Sequence, residues 1–463
     1  MRAEAVSEYQ AFLESKTQWD SASGQQPVWM PDFLYPFQAA MVEWAIRQGR
    51  AALLEDCGLG KTPQMLVWAQ NVRKITGRPV LIVTPLAVSY QTELEAAKFG
   101  IGAAVSRNGK VAAGITITNY DRLHLFNADD YAGVVCDESS AIKSFDGQRR
   151  ALVTEFLRTM RWRLLCTATA APNDYIEFGT SSEALGYLGH TDMLNRFFTN
   201  SQQNVSQRRG YAGAANEWRF KGHAVVPFWR WVASWARALR KPSDFGFDDA
   251  GFVLPTLEHR QHIVQASQVR PGRLFDLPAV GLQEEREELR RTLTERCETA
   301  AALLSNADRG IAWCHLNAEG DLLTRLIPGA VQVSGAEDPD TKEEKLIAFS
   351  QGKIRVLVTK PLIAGWGMNW QHCHRMTYFP SHSFEQYYQA VRRCWRFGQE
   401  HSVLVDVVTT PGGEHALKNL ERKSEQASRM FDALVSHMQD AQGVARSQTF
   451  GKVLEVPSWL AAS

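Results

Sequence analysis

The residues best placed to do chemistry gather in a few short stretches. The first is LLEDCGLGKTPQ, Leu53–Gln64. An apolar run ends at Glu55, then Gly58-Leu59-Gly60-Lys61-Thr62 leads into a helical pattern with Pro63 in its first turn. Glycines let backbone N–H groups curl around a phosphate, and a helix N-terminus adds partial positive charge. A lysine placed like Lys61 reaches the β- and γ-phosphates, and a hydroxyl placed like Thr62 binds Mg²⁺. The full phosphate-loop pattern wants a glycine six positions before the lysine, where Glu55 stands. The competing reading is a glycine-rich turn with a surface lysine.

The second stretch is GVVCDESSAIK, which sets Asp137-Glu138 at the end of an apolar run about 75 residues after the glycines. An acidic pair there suits two jobs. Asp137 would hold Mg²⁺, and Glu138 would orient and deprotonate an attacking water. A solvated loop is the plainer alternative. In LLCTATAAPND, Thr167 and Thr169 flank Ala168 at another strand end. Hydroxyls there could bridge a nucleotide and a bound strand, or merely cap a turn. Late in the chain, QAVRRCWRFGQ spaces Gln389, Arg393 and Arg396 along one helical face. Two arginines without a phosphate loop of their own suit a phosphate bound elsewhere. Arg392, off that face, reads as solvated.

These groups need rigid carriers. Ala51–Glu55, Val80–Thr84, Gly114–Asn119, Gly133–Asp137 and Trp162–Thr167 are short apolar runs separated by amphipathic segments such as Pro63–Val72. That pattern predicts a parallel sheet with helices on both faces. Gly310–His315, Ala330–Ser334, Ile354–Thr359, Arg375–Phe379 and Ser402–Val408 repeat it. The predicted fold class is α/β, with lobes over residues 1–180 and 255–412. A helical insertion is expected over 181–254, and a helix and tail over 413–463. Gln283–Leu304 reads as one charged helix, and Glu414–Asp440 as a polar amphipathic one.

Composition agrees with a multi-domain globular chain. Its 463 residues are 44% hydrophobic and 22% charged. With 51 basic against 50 acidic side chains, it is no globally basic nucleic-acid coat. The seven Cys include no CxxC pair, which argues against a disulfide framework or zinc ribbon. His372-Cys373-His374 reads as a strand edge rather than a metal site. The N-terminus has no apolar leader and no run of about 18 apolar residues occurs. A soluble, cytoplasmic chain is expected, in a bacterial or phage-infected cell.

Taken together, the motifs resemble those of superfamily-two helicase-type ATPases, most nearly the Swi/Snf-like DNA translocases, over roughly residues 30–180 and 255–412. LYPFQAAMVEWAI resembles the adenine-recognising Q motif, so Gln38 would read the base. EDCGLGKTPQ matches a phosphate loop that in this family commonly lacks the first glycine; Gly58, Gly60, Lys61 and Thr62 would hold ATP. LIVTPLAVSYQTE and ITITNYDRL imply DNA-backbone contacts near Thr84, Pro85, Thr118 and Asn119, and VQVSGAED implies another at Ser334. CDESSAIK stands where DEAD/DEAH-box relatives have Asp-Glu-Ala-His, so Ser140 replaces a His. TATAAPN stands for a Thr-Gly-Thr-type segment. AGWGMN matches a Gly-rich motif with Gly367 at the nucleotide, and QAVRRCWRFGQ matches the arginine-finger motif, assigning Gln389, Arg393 and Arg396 to catalysis. Trp395 replaces a His there. The resemblance implies two RecA-like lobes with ATP and Mg²⁺ between them, and DNA, or RNA, as partner. The compactness is similar to helicase-like proteins of bacteriophages and prophages.

The insertion concentrates positive charge. Arg208, Arg209, Arg219, Lys221, Arg230, Arg237, Arg240 and Lys241 face one acid, Glu217, and Trp218, Trp229, Trp231 and Trp235 are interleaved. The cations would track phosphates. The indoles would stack on bases or, at helical spacing, form a core stripe. The expected activity is ATP-driven translocation on DNA; the alternatives are a strand-separating helicase and a catalytically idle clamp.

Overall fold

The computed structural model describes residues 23–144, 147–169, 175–200, 218–265, 282–365 and 368–450. Its first lobe is built on β1 (Arg50–Glu55), β2 (Val80–Thr84), β3 (Ala103–Val105), β4 (Ile115–Asn119), β5 (Gly133–Cys136) and β6 (Trp162–Thr167). A two-stranded antiparallel ribbon, β7 (Phe198–Asn200) with β8 (Trp218–Phe220), follows, and then β9 (Ala236–Leu239). The main sheet has the order β3-β4-β2-β5-β6-β1-β9 and every pairing in it is parallel.

Both faces of this sheet are covered, which explains why its strands read as continuous apolar runs. Along β1 the side chains alternate between two cores. Ala51 and Leu53 pack with Met41, Leu66 and Trp68 from the helices Pro36–Gln48 and Lys61–Thr76. Ala52 and Leu54 face the opposite core, which holds Phe178, Phe228 and Trp235.

The second lobe comprises β10 (Leu257–Ile263), β11 (Gly310–Trp313), β12 (Ala330–Val333), β13 (Val356–Thr359), β14 (Arg375–Tyr378) and β15 (Val403–Thr409), ordered β10-β15-β14-β11-β13-β12. Its pairings are also parallel. Ile311 and Trp313 enter one core, Ala312 and Cys314 the other. The chain is thus an α/β protein with two parallel sheets flanked by helices, as in two RecA-like lobes.

The segment expected as a helical insertion is more than that. It holds the helices Phe178–Leu185, His190–Phe197 and Val225–Trp235. The last of these runs directly into β9, which pairs with β1 and completes the first sheet. The expected charged helix over 283–304 is two helices, Leu282–Arg291 and Leu293–Leu304. They break at Thr292, whose hydroxyl donates to the Glu288 carbonyl at 2.7 Å.

The final helix, Glu414–Phe450, crosses between lobes. Leu420 is buried near its start, while Met430, Leu434 and Met438 join the first-lobe core beside Trp229, Trp231 and Trp235. Arg240 pairs with Asp432 at 2.9 Å. Those three indoles are therefore core residues and present no stacking surface, which removes them as base-binding candidates. All seven cysteines are free and buried. Among the described residues, no helix is long and apolar enough to cross a membrane.

Trp235 is wholly buried and packs against Phe178, Tyr187 and Trp231. Trp235→Ala leaves a cavity that the parallel sheet below cannot fill. A loss of about 3–5 kcal/mol is expected in denaturant unfolding; a change within error would mean that the site collapses freely.

Candidate functional site

β1 delivers its chain to the carboxyl edge of the first sheet, where open α/β sheets bind ligands. Gly58 and Gly60 there have φ of +94° and +80°, a region that side chains resist. Space forbids side chains as well. A Cβ on Gly60 would lie 2.2 Å from Gln38 Nε2, and one on Gly58 would lie 2.9 Å from the Phe397 ring of the other lobe. Gln38 donates to the Leu59 carbonyl at 2.8 Å and accepts the Tyr35 N–H at 3.0 Å. Both ends of its amide are engaged, so Gln38 braces the loop here. Reading a base edge would require it to exchange one of those bonds.

Lys61 opens the following helix and donates to the carbonyls of Glu55 at 2.9 Å and Asp56 at 3.2 Å. Burial alone would lower its pKa. Cys57, Glu138, Glu55 and Asp137 outweigh burial and hold it above the ordinary lysine value.

Asp137 follows β5 and accepts the Glu138 N–H at 3.0 Å on Oδ1. Burial, then the neighbouring Glu138, push its carboxyl up to about 7 against the pull of Lys61. Glu138 has φ +47°, and it alone among the described non-glycine residues has positive φ. Such a conformation costs about 1–3 kcal/mol and persists where surroundings impose it. Here the Asp137 N–H is tied to Val83 O at 2.8 Å and the Ser139 N–H to Cys166 O at 2.9 Å. The turn directs Glu138 to the cleft, with Oε2 buried and without a hydrogen-bond partner.

The second lobe closes the cleft with Arg393 and Arg396. Arg393 donates to Met368 O at 3.1 Å and to Gln389 Oε1 at 2.8 Å, and reaches Cys57 Sγ at 3.7 Å. Arg396 bonds Asn369 Oδ1, while its Nε is buried and unpartnered. Burial, then Arg393, push the Arg396 guanidinium down to about 10. Gln389 does not line the cleft; it orients Arg393 from behind.

Arg392, expected to be solvated, is buried. It pairs with Asp56 across the lobes and lies 4.1 Å over the Trp395 ring. The helix expected to carry the arginines, Phe384–Val391, ends before them; Arg392, Arg393 and Arg396 lie in the turns that follow, which point Arg392 into the lobe interface.

The cleft has a volume of about 550 Å³ and is lined by Gly58, Gly60, Lys61, Thr62, Asp137, Glu138, Arg393 and Arg396 among others. Sequence reasoning missed Glu95, Phe252 and Phe397, which also line it. Phe252 comes from the inter-lobe linker and packs 5.0 Å from Phe37 and 5.3 Å from Phe397. No local signal marked these three. Gly367 lies outside the described residues.

The donor set fits a polyphosphate with a divalent cation. Two crowded guanidiniums and an ammonium want anionic oxygens. An adjacent carboxylate pair with an orphan oxygen, near the Thr62 hydroxyl, wants a cation. Among the described residues no group of three or more His, Cys, Asp or Glu forms a metal cage. Mg²⁺ ordinarily takes one or two carboxylates and completes its shell with phosphates and water.

The residues expected on nucleic acid divide. A groove of about 590 Å³ between the lobes is lined by Thr118, Asn119, Arg107, Lys110 and Arg122, facing Asp340 and Glu343. Arg107 bridges it, 3.3 Å from each of the two acids. The Thr118 hydroxyl, however, donates to Ser106 O at 3.1 Å, and Asn119 accepts the Arg122 N–H at 3.1 Å. Thr84 is fully buried, with its hydroxyl 2.8 Å from Ser89 Oγ. Instead of offering its hydroxyl to a strand, Thr118 shapes the groove wall, and Thr84 lies buried behind Ser89 of that wall. Pro85 is half-buried beside them, and the Ser334 N–H donates to Glu337 at 2.9 Å. In the basic patch, Arg219 and Arg230 are exposed, and Lys221 donates to Asn195 O at 2.6 Å. Arg237 sits over Trp44, and Lys241 pairs with Asp249. Arg208 and Arg209 lie outside the described residues.

No family model matches the chain. Two proteins named SWI/SNF-related matrix-associated actin-dependent regulator of chromatin subfamily A-like protein 1 are similar to part of it. The one from Bos taurus is 29% identical over 150 residues, covering 30% of this chain and 16% of that protein. The one from Xenopus tropicalis is 28% identical over 165 residues, covering 33% and 17%. The likeness thus spans about a sixth of these relatives' length.

Glu55 yields a test of the site's electrostatics. It is wholly buried, and burial pushes its carboxyl up to about 7 against Lys61 and the Gln64 bond. Gln64 Nε2 donates to it at 2.7 Å, yet Glu55 Oε1 and Gln64 Oε1 both lack donors. A proton on Glu55 supplies one. A carboxyl raised in the fold stabilises below its ordinary value near 4.5, and that contribution is lost as pH rises through about 7. Stability should fall between pH 5 and 8, by up to about 3 kcal/mol from this group. Glu55→Gln should flatten much of that slope in urea melts; an unchanged slope would place the charge elsewhere.

Proposed function

We propose that the chain is an ATP-dependent motor that couples hydrolysis to movement along DNA, in the manner of Swi/Snf-like translocases. One observation carries the reading: Lys61, Thr62, Asp137 and Glu138 from the first lobe meet Arg393 and Arg396 from the second in one cleft. The partial likeness to SWI/SNF-related proteins supports the same direction.

In this reading the loop amides, Lys61 and Thr62 bind the triphosphate, and Thr62 with Asp137 would hold Mg²⁺. The cation would neutralise charge on the β- and γ-phosphates. Glu138, its orphan oxygen facing the cleft, would orient water for in-line attack and take its proton. Arg393 and Arg396 would stabilise charge on the transferred phosphoryl group, exchanging their present bonds to Met368, Gln389 and Asn369 for phosphate oxygens. Because the charges sit on different lobes, hydrolysis would alternately close and release the cleft. The inter-lobe groove would grip a backbone on one lobe and then the other, without reading sequence.

Lys61→Ala and Glu138→Gln should each abolish ATP hydrolysis without unfolding the protein. Full hydrolysis by either folded variant would sink the assignment. Burial of Trp229, Trp231 and Trp235 removes three of the four indoles that could part a duplex, and the part-buried Trp218 packs against the same core, which favours duplex movement over strand separation. Hydrolysis rates should therefore rise with duplex DNA more than with single strands or RNA. Stimulation by single strands, with displacement of an annealed strand, would favour a helicase; no stimulation by any would favour an idle clamp. Charge reversal at Arg208, Arg209, Arg219 and Lys221 together should raise the apparent DNA constant by about tenfold or more. An unchanged constant would remove the insertion from the DNA path.

A further inference from the structure

Asp56, two positions before the first phosphate-loop glycine, is held from the opposite lobe. Asp56 and Arg392 are buried, at 5% and 6% exposure. Arg392 Nη2 donates to Asp56 Oδ2, and the Tyr388 hydroxyl donates to Oδ1. That same Oδ1 accepts the Cys57 N–H at 2.6 Å. The Asp56 carbonyl accepts from Lys61 at 3.2 Å, and its N–H donates to Leu239 O of β9 at 2.8 Å. One residue therefore links the sheet edge, the loop backbone, the loop lysine and the second lobe.

Arg392 is itself fixed. Its guanidinium lies over the rings of Trp395 and Tyr388, at 4.1 and 5.3 Å. Trp395 Nε1 donates to the linker carbonyl of Pro255 at 2.7 Å. The pair borders a cavity of about 430 Å³ that Phe431 of the final helix also lines. In such surroundings opposite charges attract strongly and salt screens them little. The attraction holds only while both partners are present; removing one leaves a buried, uncompensated charge, which water relieves when the lobes part.

We infer that Arg392 is a positioning residue: with Tyr388 and Trp395 it latches Asp56, setting the closed spacing of the lobes and the pose of the phosphate loop. The inference rests on the nucleotide reading for its kinetic consequence, but not for its structural one. Opening at this latch withdraws the neighbouring Arg393 and Arg396 from the loop and frees the Cys57 N–H and Lys61 to shift. Nucleotide binding, largely a first-lobe property, should change little. The step that needs both lobes should slow.

The test uses the full chain. In small-angle scattering without nucleotide, Arg392→Asp should enlarge the radius of gyration, and the double variant Asp56→Arg/Arg392→Asp should restore it. In hydrolysis assays Arg392→Asp should lower kcat by about 10- to 100-fold, while binding of a fluorescent ATP analogue stays within about threefold. A folded Arg392→Asp with unchanged radius and kcat overturns the latch, as does a double variant that stays open. Should Arg392→Asp not fold, Arg392→Met and Tyr388→Phe carry the same measurements. If the unaltered chain hydrolyses no ATP, the nucleotide reading fails, while the scattering comparison still decides the latch.

Discussion

Three carboxylates crowd one ammonium at the carboxyl edge of the first sheet. Glu55, Asp137 and Glu138 all raise the Lys61 pKa, and burial pushes Glu55 and Asp137 towards their neutral forms. Parallel strands make this crowding unavoidable, because β1 and β5 end on the same edge and deliver their acids together. Such a cluster is tolerable only beside further positive charge. The first lobe does not supply enough. The second lobe brings guanidiniums to the same cleft, where they crowd one another. Each lobe thus holds an electrostatic imbalance that the other helps to relieve.

Much of this was legible in the sequence. Strands buried on both faces announce themselves as Val/Leu/Ile runs, and the glycine-lysine turn after β1 has few other uses. What escaped was set by distance or by backbone. Ala236-Arg237-Ala238-Leu239 lacks a β-branched residue and continues an apolar helix, so nothing local marks it as β9; it is a strand because β1 would otherwise be an open edge. Arg392 was misread because its partner Asp56 is 336 positions away. Thr84 and Thr118 sit where the family resemblance implies strand contacts, but a hydroxyl's direction follows from its packed neighbours. The left-handed turn at Glu138 leaves no trace in residue type at all.

Besides the buried Asp56–Arg392 pair, the contacts that join the two lobes differ in how easily they break. The Phe37–Phe252–Phe397 cluster and the glycine contact with Phe397 are short-range packing, lost within a fraction of an ångström. The Arg107 pairs with Asp340 and Glu343 are partly exposed and salt-sensitive. The final helix is the durable one, since its Met and Leu side chains are built into the first-lobe core. Were the lobes to part, this helix and the linker would make the opening a hinge rather than a free separation.

That helix also orders events during synthesis. The Ala238 N–H donates to Met438 Sδ across 200 positions, so the first lobe is completed by residues made long after it. At translation rates of 5–20 residues per second, roughly 10–40 s pass between the two. Throughout that interval the indole-rich face of the helix Val225–Trp235 lacks its cover, and the nascent chain carries an apolar surface that the finished protein conceals.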